Sequence, residues 1–381
     1  MIAIKNARAV LDDSILEDAV ILVENTRIAK VGTLADVTIP SEAQIIDAQG
    51  LYVGPGFVDI HVHGGGGNMF YAAPIAAAEH FLAHGETSLL ATLYYDLSKE
   101  DLVDSIKRVK EAMKQEGAGR AIKGIYMEGP YMNPKYGAKA DKNQWRGDIL
   151  PQMYEKVVDG AGSLAKVWAV APEREGIEQF LKYAKKVNPE VMISVGHSEA
   201  NPEQIEKLKR YGIGLLTHCM DATGRVTTWG GTRACGPDEY CMTDSDMYAE
   251  VICDSMGIHV NPALIRMILK IKGVDKIVLI TDSFVSNEQA PKELQHVTDL
   301  QFDHNGGLCG SKLTMDMACR NMMTHTNCGI AQVFLMASRN PARVIGMEDE
   351  IGTIAVGKKA NLVFVDDAFD VDTVMLEGKL V

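Results

Sequence analysis

The chain has 381 residues, with 38 Lys and Arg against 51 Asp and Glu, a formal net charge of −13. At 46% hydrophobic and 23% charged it has a globular composition, with length for one large domain plus a small one. The acidic balance argues against nucleic acid, whose binding needs a basic surface to neutralise phosphates; a few local cations would still hold one small phosphorylated molecule.

The N-terminal MIAIKNARAV turns polar too early for a signal peptide. No run of about 20 apolar residues offers a membrane span. Seven Cys without a CxxC pair read as free, buried thiols of a reducing cytosol, so a cytoplasmic location without membrane contact is expected. Residues 1–50 carry short strand-like runs, and 350–381 share that β character. The two ends are expected to pair into one small β-sandwich domain. Between them, over 51–349, apolar runs at 56–63, 87–95, 121–130, 166–173, 191–198, 214–220, 247–255 and 276–283 alternate with helical patterns. KEDLVDSIKRVKEAMKQ, EGIEQFLKYAKKV, PEQIEKLKRYG and PALIRMILKIKG are four of these. Eight such units in about 250 residues predict a closed (β/α)8 barrel. A Rossmann domain lacks its GxGxxG, because no helix signal follows the glycines after His63.

Six side chains suited to metal chemistry fall at run ends: His61 and His63, Glu128, His197, His218 and Asp282. The C-terminal strand ends of a barrel form its active-site face, so five strands would aim these groups at one mouth. Residues i and i+2 share one face of a strand, which lets His61 and His63 reach one ion. Gly129 and Pro130 break the strand behind Glu128 and leave its carboxylate at the tip. A His and carboxylate set, rather than Cys, is the type found in catalytic sites.

The segments PGFVDIHVHG, GIYMEGPYMNP, ISVGHSEA, LLTH, IVLITDS, GSKLTMDMACRNM and ASRNPARVIGMEDEIGTIAVGKKANLVFVD resemble the amidohydrolase superfamily. Within it the chain is similar to the N-acetylglucosamine-6-phosphate deacetylase family from about residue 45 onward. The resemblance implies a barrel with a small β domain, and hydrolysis of the acetamide of N-acetyl-D-glucosamine 6-phosphate. Related dihydroorotases use a carboxylated Lys on strand four; here that run ends VAPE, and Glu128 takes the role. By the same resemblance Glu128, His197 and His218 hold the main divalent transition metal, zinc or iron, one per subunit. His61 and His63 complete a second position with Glu128 as bridge. Asp282 would orient water, take its proton and return it to the leaving amine.

The remaining assignments also come from the resemblance, and several depart from its pattern. Asp221-Ala222 stands where the family has Asn-Ala, and Gly137-Ala138-Lys139 where it has Gly-Ala-His or Gly-Ala-Gln. His259 matches a substrate-binding imidazole, on a loop from Asp254 that is two residues longer. Leu308, Cys309 and Gly310 match a backbone segment of the sugar pocket. Arg233, with Arg225 as substitute, matches an Arg that reaches the phosphate from a neighbouring subunit, which implies a homodimer. Thr223 to Ser245 is the least family-like stretch. Asp221 and the longer loop keep a second substrate open, N-acetylgalactosamine 6-phosphate or another N-acyl amine. A catalytically silent scaffold would show the loss of a ligand or of Asp282, and none is lost.

Overall fold

The computed structural model describes residues 1–12, 14–138, 140–225 and 229–381. Eight parallel strands form the larger sheet: Phe57–Val62, Glu86–Tyr94, Ile122–Glu128, Ala165–Val170, Met192–Val195, Ile213–Leu216, Tyr248–Ile252 and Ile277–Ile280. They pair in chain order, each with the next, and fall on the eight expected runs. Phe57–Val62 and Ile277–Ile280 are buried along their whole length, because a parallel sheet covered on both faces leaves no side for water.

The amphipathic stretches form helices Lys99–Ala112, Ile177–Val187, Pro202–Leu208 and Pro262–Lys272. Their starts follow capping chemistry. Ser98 Oγ accepts from Asp101 N–H (3.1 Å), and Asn201 Oδ1 from Gln204 N–H (2.9 Å). Each cap satisfies a donor that the first turn leaves unpaired. Leu102, Ile106 and Val109 turn inward at three- and four-residue spacing.

The barrel closes between its first and eighth strands by unusual means. Asp59, buried in the first strand, accepts from Thr281 Oγ1–H (2.5 Å) and Thr281 N–H (3.3 Å). Past the strand end, Asp282 N–H donates to His61 O (2.9 Å) and His63 N–H to Ser283 O (2.9 Å). The seam therefore lies directly beneath the expected site.

Both chain ends build the second sheet. Its strands run in the order Lys379–Leu380, Val371–Leu376, Leu362–Val365, Tyr52–Pro55, Ile2–Val10, Ile15–Glu24 and Arg27–Thr33, with Gln44–Asp47 also paired to Ile2–Val10. The far edge returns to the C-terminal segment, Ile28 N–H donating to Lys358 O (2.9 Å) and Gly357 N–H to Ile28 O (2.8 Å). The sheet so rolls over one core of Ile4, Ile21, Ile28, Leu362, Phe364 and Met375. Phe57, Phe334 and Phe369, with centroids 5.4–5.9 Å apart, join it to the barrel.

No described helix is long and apolar enough to cross a membrane. All seven cysteines are free thiols. Six are buried as expected, whereas Cys235 is exposed because it sits on the surface loop before helix Pro237–Thr243.

Candidate active site

The six expected ligands and base converge at the C-terminal end of the barrel. His61 lies in the first strand and His63 just beyond it, so their alternation turns both rings inward, with centroids 5.4 Å apart. Glu128 is the last residue of the third strand. His197, His218 and Asp282 each follow a strand by two residues and share a feature the sequence does not display. Their φ angles are +44°, +28° and +46°, in the left-handed region, where a non-glycine residue costs on the order of 1–3 kcal/mol. Each is held there through its carbonyl: Asn133 N–H donates to His197 O (3.0 Å), Asp221 N–H to His218 O (3.0 Å) and Ser311 N–H to Asp282 O (2.9 Å). The loops after the strands thus fix the directions in which these side chains leave the barrel.

Glu128 stands at the centre. Its Oε1 lies 2.7 Å from His197 Nε2 and 3.4 Å from His218 Nε2, while Oε2 lies 3.4 Å from His63 Nε2. Two buried groups result that share this carboxylate, His61–His63–Glu128 and Glu128–His197–His218, the ligand atoms of each within 4.8 Å of one another. Asp282 Oδ1 is 3.1 Å from His63 Nε2 and 3.6 Å from His61 Nε2. Burial opposes charge on His61, but Asp282, Glu250 and Glu128 outweigh it and push its pKa up to about 9. Burial likewise opposes charge on His218, and Glu128, Asp221 and Asp282 raise it to about 10. Glu128 is held well below its ordinary value, burial being overcome chiefly by His197. His61 Nε2 is buried inside this cluster without a hydrogen-bond partner. Four inward imidazoles, one shared carboxylate and an orphaned ring nitrogen fit a divalent cation, which would replace the protons.

Above the cluster is a cavity of about 220 Å³. Of the expected substrate residues, Ala138, Asp221, Ala222, His259, Leu308, Cys309 and Gly310 line it. Lys139 lies outside the described residues. Arg233 does not line the cavity of its own chain; its side chain is 72% exposed, 3.4 Å from Glu239, which also meets Arg225 at 3.3 Å. His259 Nδ1–H donates to Asp254 Oδ2 (3.0 Å) and Nε2–H to Gly310 O (3.1 Å). Satisfying a carboxylate and a carbonyl at once requires both ring protons. His259 faces the cavity with its pKa raised, against burial, by Asp254, Asp221 and Asp282.

Several contributors escaped the sequence reading. Tyr95 donates from its hydroxyl to Ala138 O (2.8 Å) and packs edge-on against His197, holding the Gly137 loop over the ring. Asp254 is pulled down to about 2, burial being overcome by His259 and by backbone N–H groups of its loop. Glu250 lies beneath His61 and His218. The one available signal was a carboxylate inside an apolar run, MYAEVICDS for Glu250 and GFVDIHVH for Asp59.

Residues 52–381 match the model of the Amidohydrolase family. Over 86% of either chain, the protein is 30% identical to N-acetylgalactosamine-6-phosphate deacetylase of Escherichia coli O157:H7. It is 27% identical to N-acetylglucosamine-6-phosphate deacetylase of Haemophilus influenzae, over 91% of this chain and 92% of that one. The crystal structure of N-acetylglucosamine-6-phosphate deacetylase from Pasteurella multocida superposes with a TM-score of 0.86 at 26% identity, covering 100% of this chain and 99% of the other.

Proposed function

The chain belongs to the amidohydrolase family, and from that premise we propose that it hydrolyses the acetamide of N-acetyl-D-glucosamine 6-phosphate to glucosamine 6-phosphate and acetate. The observation that carries this reading is the Glu128 carboxylate shared by two histidine pairs, with Asp282 beside them under a cavity of about 220 Å³. In this reading residues 51–349 are the catalytic barrel, apart from strand Tyr52–Pro55, which lies in the second sheet, and 1–50 with 350–381 are the small domain.

Glu128, His197 and His218 would hold one divalent ion, zinc or iron, and His61 with His63 a second bridged by Glu128. An ion held there would supply Lewis acidity, lowering the pKa of a water to about 7 and polarising the acetamide carbonyl. Asp282 is held below its ordinary pKa, burial being outweighed by His61 and His63. It is therefore ionised at neutral pH and able to accept the water's proton. The same group then delivers that proton to the amide nitrogen, which must leave as an amine. The Nε2–H of His259 exchanges the Gly310 carbonyl for a substrate oxygen. Ala138, Ala222, Leu308, Cys309 and Gly310 shape the sugar pocket, Lys139 remains a substrate-binding candidate by sequence alone, and Asp221 accepts from a sugar hydroxyl.

Among the described residues lining the cavity there is no Lys or Arg. That supports a homodimer in which Arg233, or Arg225, meets the phosphate of a neighbouring copy. Seven free thiols support a cytoplasmic location. A second reading, N-acetylgalactosamine 6-phosphate, is favoured by Asp221 and by the 30% identical relative.

Acetate release by the metal-loaded protein tests the proposal across N-acetylhexosamines with and without 6-phosphate. The expected result is the highest kcat/KM on N-acetyl-D-glucosamine 6-phosphate. Equal rates without phosphate would remove Arg233 from its role, and a preference for the galacto epimer would select the second reading. No acetate from any of them would overturn both.

A further inference from the structure

Glu250 sits in the middle of strand Tyr248–Ile252, fully buried. A carboxylate in such a place needs donors, and its Oε2 has three. His61 Nδ1–H donates at 3.1 Å, His218 N–H at 3.2 Å and Tyr126 OH at 3.4 Å. These come from the first, sixth and third strand regions of the barrel. The Tyr126 ring also stacks on the His61 imidazole, centroids 4.3 Å apart and planes 23° from parallel. Behind it, hydroxyl contacts run from Tyr126 to Thr217 (2.8 Å) and on to Ser194 (2.6 Å). His61 is thus fixed on one edge by a charge and on one face by a ring.

An imidazole whose Nδ1–H is committed to a carboxylate carries its lone pair on Nε2. In His61 that atom is the partnerless nitrogen, 3.8 Å from Glu128 Oε1. The same Glu250 oxygen receives the backbone N–H of His218, whose φ of +28° needs support. One oxygen therefore touches a member of each ligand group. We propose that Glu250 is the positioning residue of the metal centre: it fixes His61 as an Nε2 ligand and thereby decides whether the His61/His63 position fills. The inference rests on the metal-dependent reading above, but it concerns ion binding and not turnover.

The full-length chain, stripped by a chelator and titrated with Zn²⁺ without substrate, tests this by calorimetry and ion counting, with near-UV circular dichroism reporting the fold. Wild type is expected to hold two ions. Glu250→Gln should keep the ion at Glu128, His197 and His218 and bind the other about 10- to 100-fold more weakly, with its spectrum unchanged. Added to His63→Asn, Glu250→Gln should weaken nothing further, because both act on one position. Should Gln disturb the spectrum, Tyr126→Phe decides, since it keeps the ring over His61 and removes one donor to Glu250. A weakened second ion there supports the assignment, and an unchanged one overturns it. Wild-type affinity in a folded Glu250→Gln, additive losses in the double variant, or a single ion in wild type would overturn it too. Two ions in a protein that releases no acetate leave it standing and sink the deacetylase reading instead.

Discussion

Asp282 and Glu128 are both buried carboxylates among imidazoles, yet they have different geometry and so different tasks. Glu128 offers both oxygens to histidines of two groups, whereas Asp282 offers Oδ1 to His61 and His63 from the cavity side. Asp282→Asn keeps the shape and removes the proposed base. It should lower kcat by about 10²- to 10⁴-fold with KM and ion count retained, measured by steady-state acetate release and metal analysis. Loss of an ion would make it a ligand instead. Gly137 carries the opposite kind of constraint. Its φ is +97°, and a Cβ would sit 2.4 Å from the Tyr95 hydroxyl and 2.7 Å from His197 Nδ1. Gly137→Ala should therefore push His197 off Glu128 and weaken the ion bound there, seen as a lower Zn²⁺ affinity in calorimetry. The convergence of the candidate ligand residues was legible because a barrel turns strand ends into site positions. Glu250, Tyr126 and Tyr95 were not, because their partners lie 189, 91 and 43 residues away and only the closed barrel brings them together.

At the scale of elements, all eight barrel strands could be read from apolar runs, and their order followed from right-handed βα units. The way the ring closes could not. Parallel pairing accounts for seven neighbouring pairs, and the eighth junction joins the contact of Asp59 with Thr281 to backbone bonds past the strand ends, which no periodicity marks. The hairpin of Leu300–Phe302 and Leu308–Ser311 was equally hidden, its strands being too short for a pattern. It brings Gly310 against the Asp282 carbonyl, which a Cβ would approach to 2.4 Å. Thr281→Val removes the hydroxyl donor to Asp59 while keeping the side chain's size. The buried carboxylate then lacks one partner, and unfolding should become easier by about 1–3 kcal/mol, read from the urea midpoint. A variant as stable as wild type would mean that backbone bonds alone hold the seam.

Over the whole molecule, a net charge of −13 must coexist with the phosphorylated substrate proposed above and with the cations proposed for the barrel mouth. The cavity wall holds Asp96, Glu128, Asp221, Asp282 and Asp303 and, among the described residues, no Lys or Arg, which is why the proposed phosphate contact is given to Arg233 of a neighbouring copy. Arg233→Ala should raise KM for the phosphorylated sugar and spare the unphosphorylated one, a split that steady-state kinetics resolves. The imidazoles make the cation's effect depend on pH in a direction that can be worked out. Unfolded His titrates at about 6.5, whereas in the metal-free fold His61 holds its proton to about 9 and His218 to about 10. Their contribution to metal-free stability is complete below pH 6.5 and is lost as pH rises through 9 to 10. An ion binds only after these protons leave, so its affinity rises over the same range. Bound ion stabilises by mass action, about 4.1 kcal/mol at 1,000 times Kd. The gap in Tm between metal-loaded and chelator-stripped protein should therefore widen from pH 6.5 to pH 9, followed by calorimetric scans at fixed free Zn²⁺. A gap that narrowed with rising pH would show that these two histidines are not where the ion binds.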